Sequence, residues 1–468
     1  MECEKVKKIV MKFGGTSVAT GENIRRVAKI VAGSVKKGQR VVVVVSALAG
    51  VTNQLVEEAE QAEKKDEKQI QEFTQKLVKK HVATAAEAIK NKSIQKEVEQ
   101  VIRKTVSELE KVLTGICYVG EITPKSRDYV LSFGERLSAP IVWGALRDIK
   151  LQAQCFTGKE AGIVTDDNFG AASPLMNVTT HQVTGRLEPL LEKNVVPVVT
   201  GYIAATQDGV VTTLGRGGSD YTATILSVAL SADEVWIWTD VDGIMTTDPK
   251  IVQSARRLPQ LSYGEAAEMA IFGAKAMHPS ALEPVIAAHI PVRIRNVFNP
   301  ENHGTLIADG QEVKSTEVVK AVAMINIRGA AMVGAPGSYA KIFDVMGKNN
   351  INIMMISAAV SEANISLIIR RKLLGRALST LEIALLGRSV VNEITSEDDV
   401  CVIAVMGANM KGTLGVASRI FATVAKKRIN IRMIAQGSSE LNVSFVVKEK
   451  DGAAVVRAIH KEFKLDQI

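Results

Sequence analysis

Short apolar runs alternate with amphipathic stretches through residues 1–300. Val6 to Phe13, Arg40 to Ser46, Leu151 to Phe156, Val195 to Tyr202, Glu234 to Thr239 and Pro291 to Asn296 have the β-branched, apolar character of strands. Between them, Asn23 to Lys37, Arg127 to Asp148, Asp220 to Leu230 and Tyr263 to Phe272 carry the helical period. This alternation predicts an α/β fold with a mostly parallel sheet flanked by helices. Leu55 to Leu113 forms helix almost throughout and predicts an excursion of two or three helices, with no chemistry legible in it.

The rear of the chain has a different rhythm. Gly337 to Ile369 aligns without a gap onto Gly415 to Val447, a shift of 78 residues with 13 identities. Each copy reads as a glycine turn, an amphipathic helix (Ser338 to Lys348; Val416 to Lys427) and two β-branched strands, Ile351 to Ser357 and Asn364 to Ile369 in copy one. Two copies are too few for a solenoid. They predict a duplicated βαββ module, either a packing unit alone or a binder of small ligands.

Composition narrows the class. The 468 residues, 46% hydrophobic and 23% charged, suit two or three globular domains. The longest apolar runs, such as Val41 to Val45, are too short to span a bilayer, so no membrane is expected. A charged start at Met1 to Lys8 running straight into a strand predicts no signal peptide. Cys3, Cys117, Cys155 and Cys401 are scattered, as free thiols in a cytoplasmic protein would be. The net charge of +8 comes with interleaved acids and no aromatic-rich basic stripe, which argues against nucleic acid. A mildly positive field would still attract an anionic substrate.

Polar, glycine-containing clusters follow several predicted strands, where open α/β sheets hold their ligands. In Lys12-Phe13-Gly14-Gly15-Thr16-Ser17, paired glycines let amides approach an anion and Lys12 adds a point charge. A helix starting near Gly21 would add its positive end. A plain strand–helix connection has the same look. Ser46 to Asn53 is a second small-residue loop. Ser132-Phe133-Gly134-Glu135-Arg136 places Glu135 at the entry of a helix, where an acid also suits the helix dipole. Gly215-Arg216-Gly217-Gly218-Ser219-Asp220 offers a bidentate fork for a carboxylate and an acceptor for an ammonium or a hydroxyl. Thr239 to Pro249 is acidic but lacks the glutamate of a calcium loop, since Ile251 stands there.

Taken in order, these clusters closely resemble the aspartate kinases of the amino-acid-kinase superfamily. The motifs are K-F-G-G-T-S at 12–17, S-F-G-E-R at 132–136, G-R-G-G-S-D at 215–220, T-D-V-D-G-I-M-T-T-D-P at 239–249 and F-G-A-K-A-M-H-P at 272–279. The duplicated module then resembles paired ferredoxin-like βαββαβ ACT domains. The resemblance spans essentially the whole chain. It implies an amino-acid-kinase catalytic domain at 1–305 and ACT domains at 306–398 and 399–468, the first part of 306–398 able to lend a strand to the second ACT domain.

The implied reaction moves the γ-phosphoryl of MgATP to the β-carboxylate of L-aspartate, giving 4-phospho-L-aspartate. That step opens the route to lysine, threonine, methionine and isoleucine. Mg2+ is expected to travel with the nucleotide, without a protein metal site. By resemblance Lys12 and Asp220 are catalytic, with the Gly14 and Gly15 amides cradling the phosphoryl group. Glu135 takes the substrate ammonium and Arg216 its α-carboxylate, within a pocket completed by Ser46, Thr52, Gly217, Gly218 and Ser219. Gly14, Gly15, Ser17, Thr239, Asp240, Met245, Asp248 and Lys275 form the nucleotide side. Met245 stands where family members often carry an aromatic residue.

In the duplicated module, copy one offers Asn350, Ile351, Asn352 and Ile353 as an effector site, and copy two is read as structural. The Met433 to Glu440 strand pattern resembles threonine-responsive more than lysine-responsive members. The family also implies a homodimer through the ACT domains, or a higher homo-oligomer. Two other readings stand beside this one: a sister kinase acting on glutamate or N-acetylglutamate, and a non-catalytic amino-acid sensor.

Overall fold

The computed structural model describes residues 6–62, 66–271, 277–310, 315–329, 337–358, 364–386, 391–407, 410, 412–437 and 440–467. These divide into two compact units, Met1–Ile244 with Met277–Asp309, and Met245–Ala276 with Gly310–Ile468.

The first unit begins with β1 (Lys8–Phe13), α1 (Gly21–Lys36) and β2 (Arg40–Val45). The helical excursion follows as α2 (Val51–Gln61), α3 (Glu67–Ala88) and α4 (Lys92–Val119), then α5 (Pro124–Asp148). Next come β3 (Ala153–Phe156), a single-turn α6 (Gly158–Ala161), α7 (Met176–Glu192) and β4 (Val196–Thr200). A hairpin of β5 (Ile203–Ala205) and β6 (Val211–Thr213) precedes α8 (Gly218–Ala229) and β7 (Glu234–Thr239). The segment with β8 (Gln260–Leu261) and α9 (Tyr263–Ile271) belongs to the second unit. The first is completed by α10 (Pro279–Ala287), β9 (Val292–Asn296) and β10 (Thr305–Ile307).

Strands of the first unit run in the order β3-β4-β2-β1-β7-β9-β10, parallel except for β10. The valines of β2 are all buried, as a central parallel strand covered on both faces requires. Ile24, Val27, Ala28 and Val31 of α1 are buried, and the Thr20 side chain accepts from Asn23 N to cap its start. The order reverses at β1, so the crevice expected of such a sheet lies at the carboxyl ends of β1 and its neighbours.

Two local expectations need correction. The strand predicted over Val195 to Tyr202 stops at Thr200: Gly201 N still donates to Val45 O at 2.8 Å, but Tyr202 then takes a left-handed φ of 67°, which a strand does not accommodate. Glu135 does not enter a helix: it sits in the middle of α5, whose start is fixed upstream by a Thr123–Ser126 capping box and Pro124.

In the second unit, β11 (Ser315–Arg328), α11 (Ser338–Lys348), β12 (Ile353–Ala358), β13 (Asn364–Arg370) and α12 (Leu374–Leu385) lead into β14 (Glu393–Met406). Then α13 (Val416–Lys426), β15 (Met433–Gln436), β16 (Asn442–Lys448) and α14 (Glu449–Glu462) repeat the plan. The strand order is β12-β13-β11-β14-β16-β15, all antiparallel. The front half of β11 pairs with the rear half of β14, Val318 opposite Ile403, and its rear half lies between β13 and the front of β14. Each half of the repeat buries its own helix-facing core, around Ile342, Leu367 and Leu381 in one and Ile420, Phe445 and Val456 in the other.

Residues of the 245–276 segment bond within this unit. Thr316 N donates to Thr246 O at 2.9 Å, and Thr246 Oγ1 lies 3.1 Å from His460 Nε2. Among the described residues no helix is long and apolar enough to cross a membrane.

Candidate active site

A cleft of about 990 Å3 opens in the first unit at the carboxyl ends of β1 and β2. Its lining combines the loops after both strands with one face of α5 and the turn that starts α8. Lys12, Gly15, Ser46, Thr52, Glu135, Arg216, Gly217, Gly218, Ser219 and Asp220 all line it. Residues spread over more than 200 positions thus meet in one cavity.

Lys12 and Asp220 form an ion pair of 2.6 Å, their side chains only 12% and 15% exposed. Lys12 is the penultimate residue of β1, and Asp220 lies in the first turn of α8. That helix starts at Gly217, which caps it in a left-handed conformation (φ 69°), so its opening amides sit at the cleft. Arg216 precedes it as an exposed side chain on the lining.

Glu135 is buried, and its Oε1 accepts from Ala47 N at 3.1 Å, while Oε2 has no hydrogen-bond partner among the described residues. Burial pushes its carboxyl up to about 8, against the opposing pull of the Ala47 N–H and the Lys12 charge. A buried carboxyl with one unused oxygen in a polar cleft is suited to a cationic ligand group.

Other predicted positions are engaged differently. Gly14 N donates to Trp238 O at 3.3 Å, and the buried Ser17 hydroxyl donates to the same carbonyl at 3.3 Å, which ties the β1 turn to β7. The start of α1 offers no spare positive end, a third correction of expectation: the Glu87 carboxylate accepts from Gly21 N and Glu22 N. Thr239 Oγ1 donates to Asp240 Oδ1 at 3.2 Å at the end of β7. Met245 and Asp248 belong to the second unit, where Asp248 Oδ1 accepts from Lys250 N at 2.9 Å. Lys275 lies outside the described residues.

Asp128 escaped the sequence reading. It is buried on the lining, and its carboxylate accepts from Gly170 N, Thr213 N and Thr213 Oγ1 at 2.8–2.9 Å. Burial raises its pKa, and these bonds oppose the rise. The available signal was its spacing, seven residues before Glu135 and so on the same face of α5.

The comparisons with known proteins bear on this geometry. Residues 7–296 match the amino acid kinase family, and residues 325–385 and 403–463 each match the ACT domain. Aspartokinase 1, a chloroplastic protein of Arabidopsis thaliana, is 34% identical over 98% of this chain and 81% of its own length. The chain belongs to the aspartokinases.

Among solved structures, E. coli aspartokinase III in complex with aspartate and ADP (R-state) superposes with a TM-score of 0.82 at 30% identity, over 98% of this chain and 100% of that one. The same enzyme in complex with lysine and aspartate (T-state) gives 0.81 at 30% identity, over 97% and 98%. As an aspartokinase the chain is an ATP-dependent phosphotransferase with a carboxyl acceptor, built from an amino-acid-kinase fold and C-terminal ACT domains. An acceptor carboxylate is already ionised at neutral pH, so the cleft needs charge and placement instead of a general base.

Proposed function

We propose that the cleft binds L-aspartate between Glu135 and Arg216 and transfers the γ-phosphoryl of MgATP to its β-carboxylate, yielding 4-phospho-L-aspartate. The observation that carries this reading is the unpartnered Oε2 of buried Glu135 in a cleft that also holds Arg216 and the Lys12–Asp220 pair. Glu135 takes the substrate ammonium and Arg216 the α-carboxylate, with Ser46, Thr52, Gly217, Gly218 and Ser219 closing around the rest. Lys12, the Gly15 amide and the first amides of α8 meet the charge that spreads over the transferring oxygens, and Asp220 holds Lys12 in place. Gly14 and Ser17 act by fixing the turn that presents Lys12. Thr239 and Asp240, at the end of β7, are the nucleotide side, and the magnesium arrives with the ATP phosphates.

Arg216→Lys should raise the KM for aspartate at least about 10-fold, since an ammonium cannot replace a bidentate fork. The KM for ATP should change much less. Steady-state kinetics with each substrate varied in turn check this. An equal rise in both would move Arg216 from the α-carboxylate to the phosphates or to the shape of the loop.

The product feeds the synthesis of lysine, threonine, methionine and isoleucine, and an end-product amino acid feeds back through the ACT domains. We place the effector at copy one. Ile351 is core, and Asn350 has a left-handed φ of 53°, matched by Arg428 at 55° in copy two. Both end their helices, so the exposed Asn352 is the polar group left to grip a ligand. Asn352→Ala should relieve inhibition while leaving uninhibited kcat near wild type, and Asn430→Ala should do much less. A coupling of ~1–3 kcal/mol is the expected scale. Inhibition curves with threonine, lysine and methionine check it, and equal inhibition of wild type and Asn352→Ala contradicts the placement. The Met433 to Glu440 pattern favours threonine, whereas E. coli aspartokinase III has lysine bound.

We divide the chain into a catalytic segment at 1–305 and ACT segments at 306–398 and 399–468, with β11 serving both ACT halves. A homodimer through those domains fits the exposed Ile356 on β12 and Ile434 on β15, equivalent positions on the two edge strands. Cys155 and Cys401, free thiols among the described cysteines, fit a cytoplasmic location.

A further inference from the structure

Of the helices between β2 and α5, α3 and α4 contribute no group to the chemistry above, yet α3 touches the two segments that open the cleft. Lys80 Nζ donates to Ala49 O at 3.0 Å, in the lining loop between β2 and α2. Seven residues on, two turns along the same helix, Glu87 Oε2 accepts from Gly21 N at 3.0 Å and Oε1 from Glu22 N at 3.1 Å. Arg25 adds a hydrogen bond from its guanidinium to the Glu87 carbonyl. The approach is close enough to demand glycine: a Cβ at Gly21 would lie 2.5 Å from Glu87 Cβ and 2.6 Å from Ala88 N.

Both contacts lead to the phosphoryl side of the cleft. The α1 start is joined to Lys12 through the short turn Gly15–Val18. The other loop abuts that turn, since a Cβ at Gly15 would lie 3.0 Å from Ala47 O and 3.6 Å from Ala49 N. Ala47 in turn donates its N–H to Glu135. One rigid helix therefore grips both loops, one through a cation on a carbonyl and the other through a carboxylate on helix-start amides.

We propose that Lys80 and Glu87 are positioning residues for phosphoryl transfer, with α3 bracing the β1–α1 and β2–α2 segments against each other. The proposal rests on the aspartokinase reading. Phosphoryl transfer draws most of its acceleration from placement, so a loosened loop costs turnover before it costs binding or folding. Neither side chain lines the cleft, so neither contacts substrate.

The test compares full-length wild type with Lys80→Met, Lys80→Arg and Glu87→Gln in aspartate-dependent ADP release, alongside thermal unfolding. Lys80→Met should lower kcat ~10-fold, with KM for ATP within about twofold and melting within a few degrees of wild type. Lys80→Arg, which keeps a donor to Ala49 O, should recover most of the loss. Should Lys80→Met not fold, Glu87→Gln carries the test, with a drop in kcat of about fivefold expected. The brace is overturned if the folded variants keep wild-type kcat, or if Lys80→Arg fails to rescue and kcat merely follows melting temperature. An inactive wild type in the same assay would contradict the aspartokinase assignment itself, a distinguishable result.

Discussion

Lys12→Ala is expected to lower kcat at least ~100-fold, about 3 kcal/mol of transition-state stabilisation. Lys12, next to the end of β1, lies in the cleft and is paired with Asp220 at 2.6 Å, both side chains largely withdrawn from water. A charge in that setting acts through a lower effective dielectric than it would on an open surface, which is why one ammonium can matter this much. Removing it also strips the cation that holds down the Glu135 carboxyl, so aspartate binding should weaken alongside turnover. The fold should survive, because the neighbours that anchor β1, Met11 and Phe13, are fully buried and untouched. Initial rates at saturating aspartate and ATP, with circular dichroism to confirm folding, decide it. Near-wild-type turnover in a folded variant would remove Lys12 from the mechanism.

Glu135→Gln should raise the KM for aspartate by about 10- to 100-fold, the loss expected when a charge-assisted hydrogen bond to an ammonium becomes a neutral one. The substitution is gentle on the free protein. Burial pushes the Glu135 carboxyl up to about 8, so near pH 7 the native side chain is mostly neutral already, and an amide matches its shape. The sign of the pH effect follows. The carboxylate binds the ammonium and the neutral acid does not, so the wild-type KM for aspartate should fall as pH rises towards about 8. In Glu135→Gln that slope should flatten. For stability the linkage runs the other way: a folded pKa raised above 4.5 gives a contribution complete below that value and lost as pH rises through about 8. Glu135→Gln should therefore melt no lower than wild type in alkaline buffer. An unchanged KM for aspartate would separate Glu135 from the substrate.

Much of this was legible in the chain because the physics was local. The valine run of β2 reads as a buried parallel strand, and the helix over Ser338 to Lys348 lies where its apolar spacing places it. Glycines followed by Arg216, Ser219 and Asp220 announced a loop that opens a helix, which α8 does. What stayed hidden was tertiary. Glu135 looked like a helix-entry acid because a serine and a glycine precede it, whereas Thr123 and Pro124 had already started α5 upstream. The free helix end expected at Gly21 is filled by Glu87, sixty-six positions away, and no spacing rule connects the two. Asn350 looked chemically distinct from Arg428, but a shared left-handed conformation makes both a helix terminus first. Asp128 accepts directly from Gly170 and Thr213, far away in the chain, a partnership that exists only once the β5–β6 hairpin is folded.

The most direct measurement of the central claim is hydroxylamine trapping of the acyl phosphate formed by the full-length protein with MgATP. L-aspartate, L-glutamate and N-acetyl-L-glutamate are supplied in parallel. The account predicts aspartyl hydroxamate in step with ADP release for L-aspartate, and little for the other two, because the pocket grips both the ammonium and the α-carboxylate of the shorter acid. Hydroxamate formed from glutamate or N-acetylglutamate in preference to aspartate, or no acyl phosphate from any of the three, would contradict it.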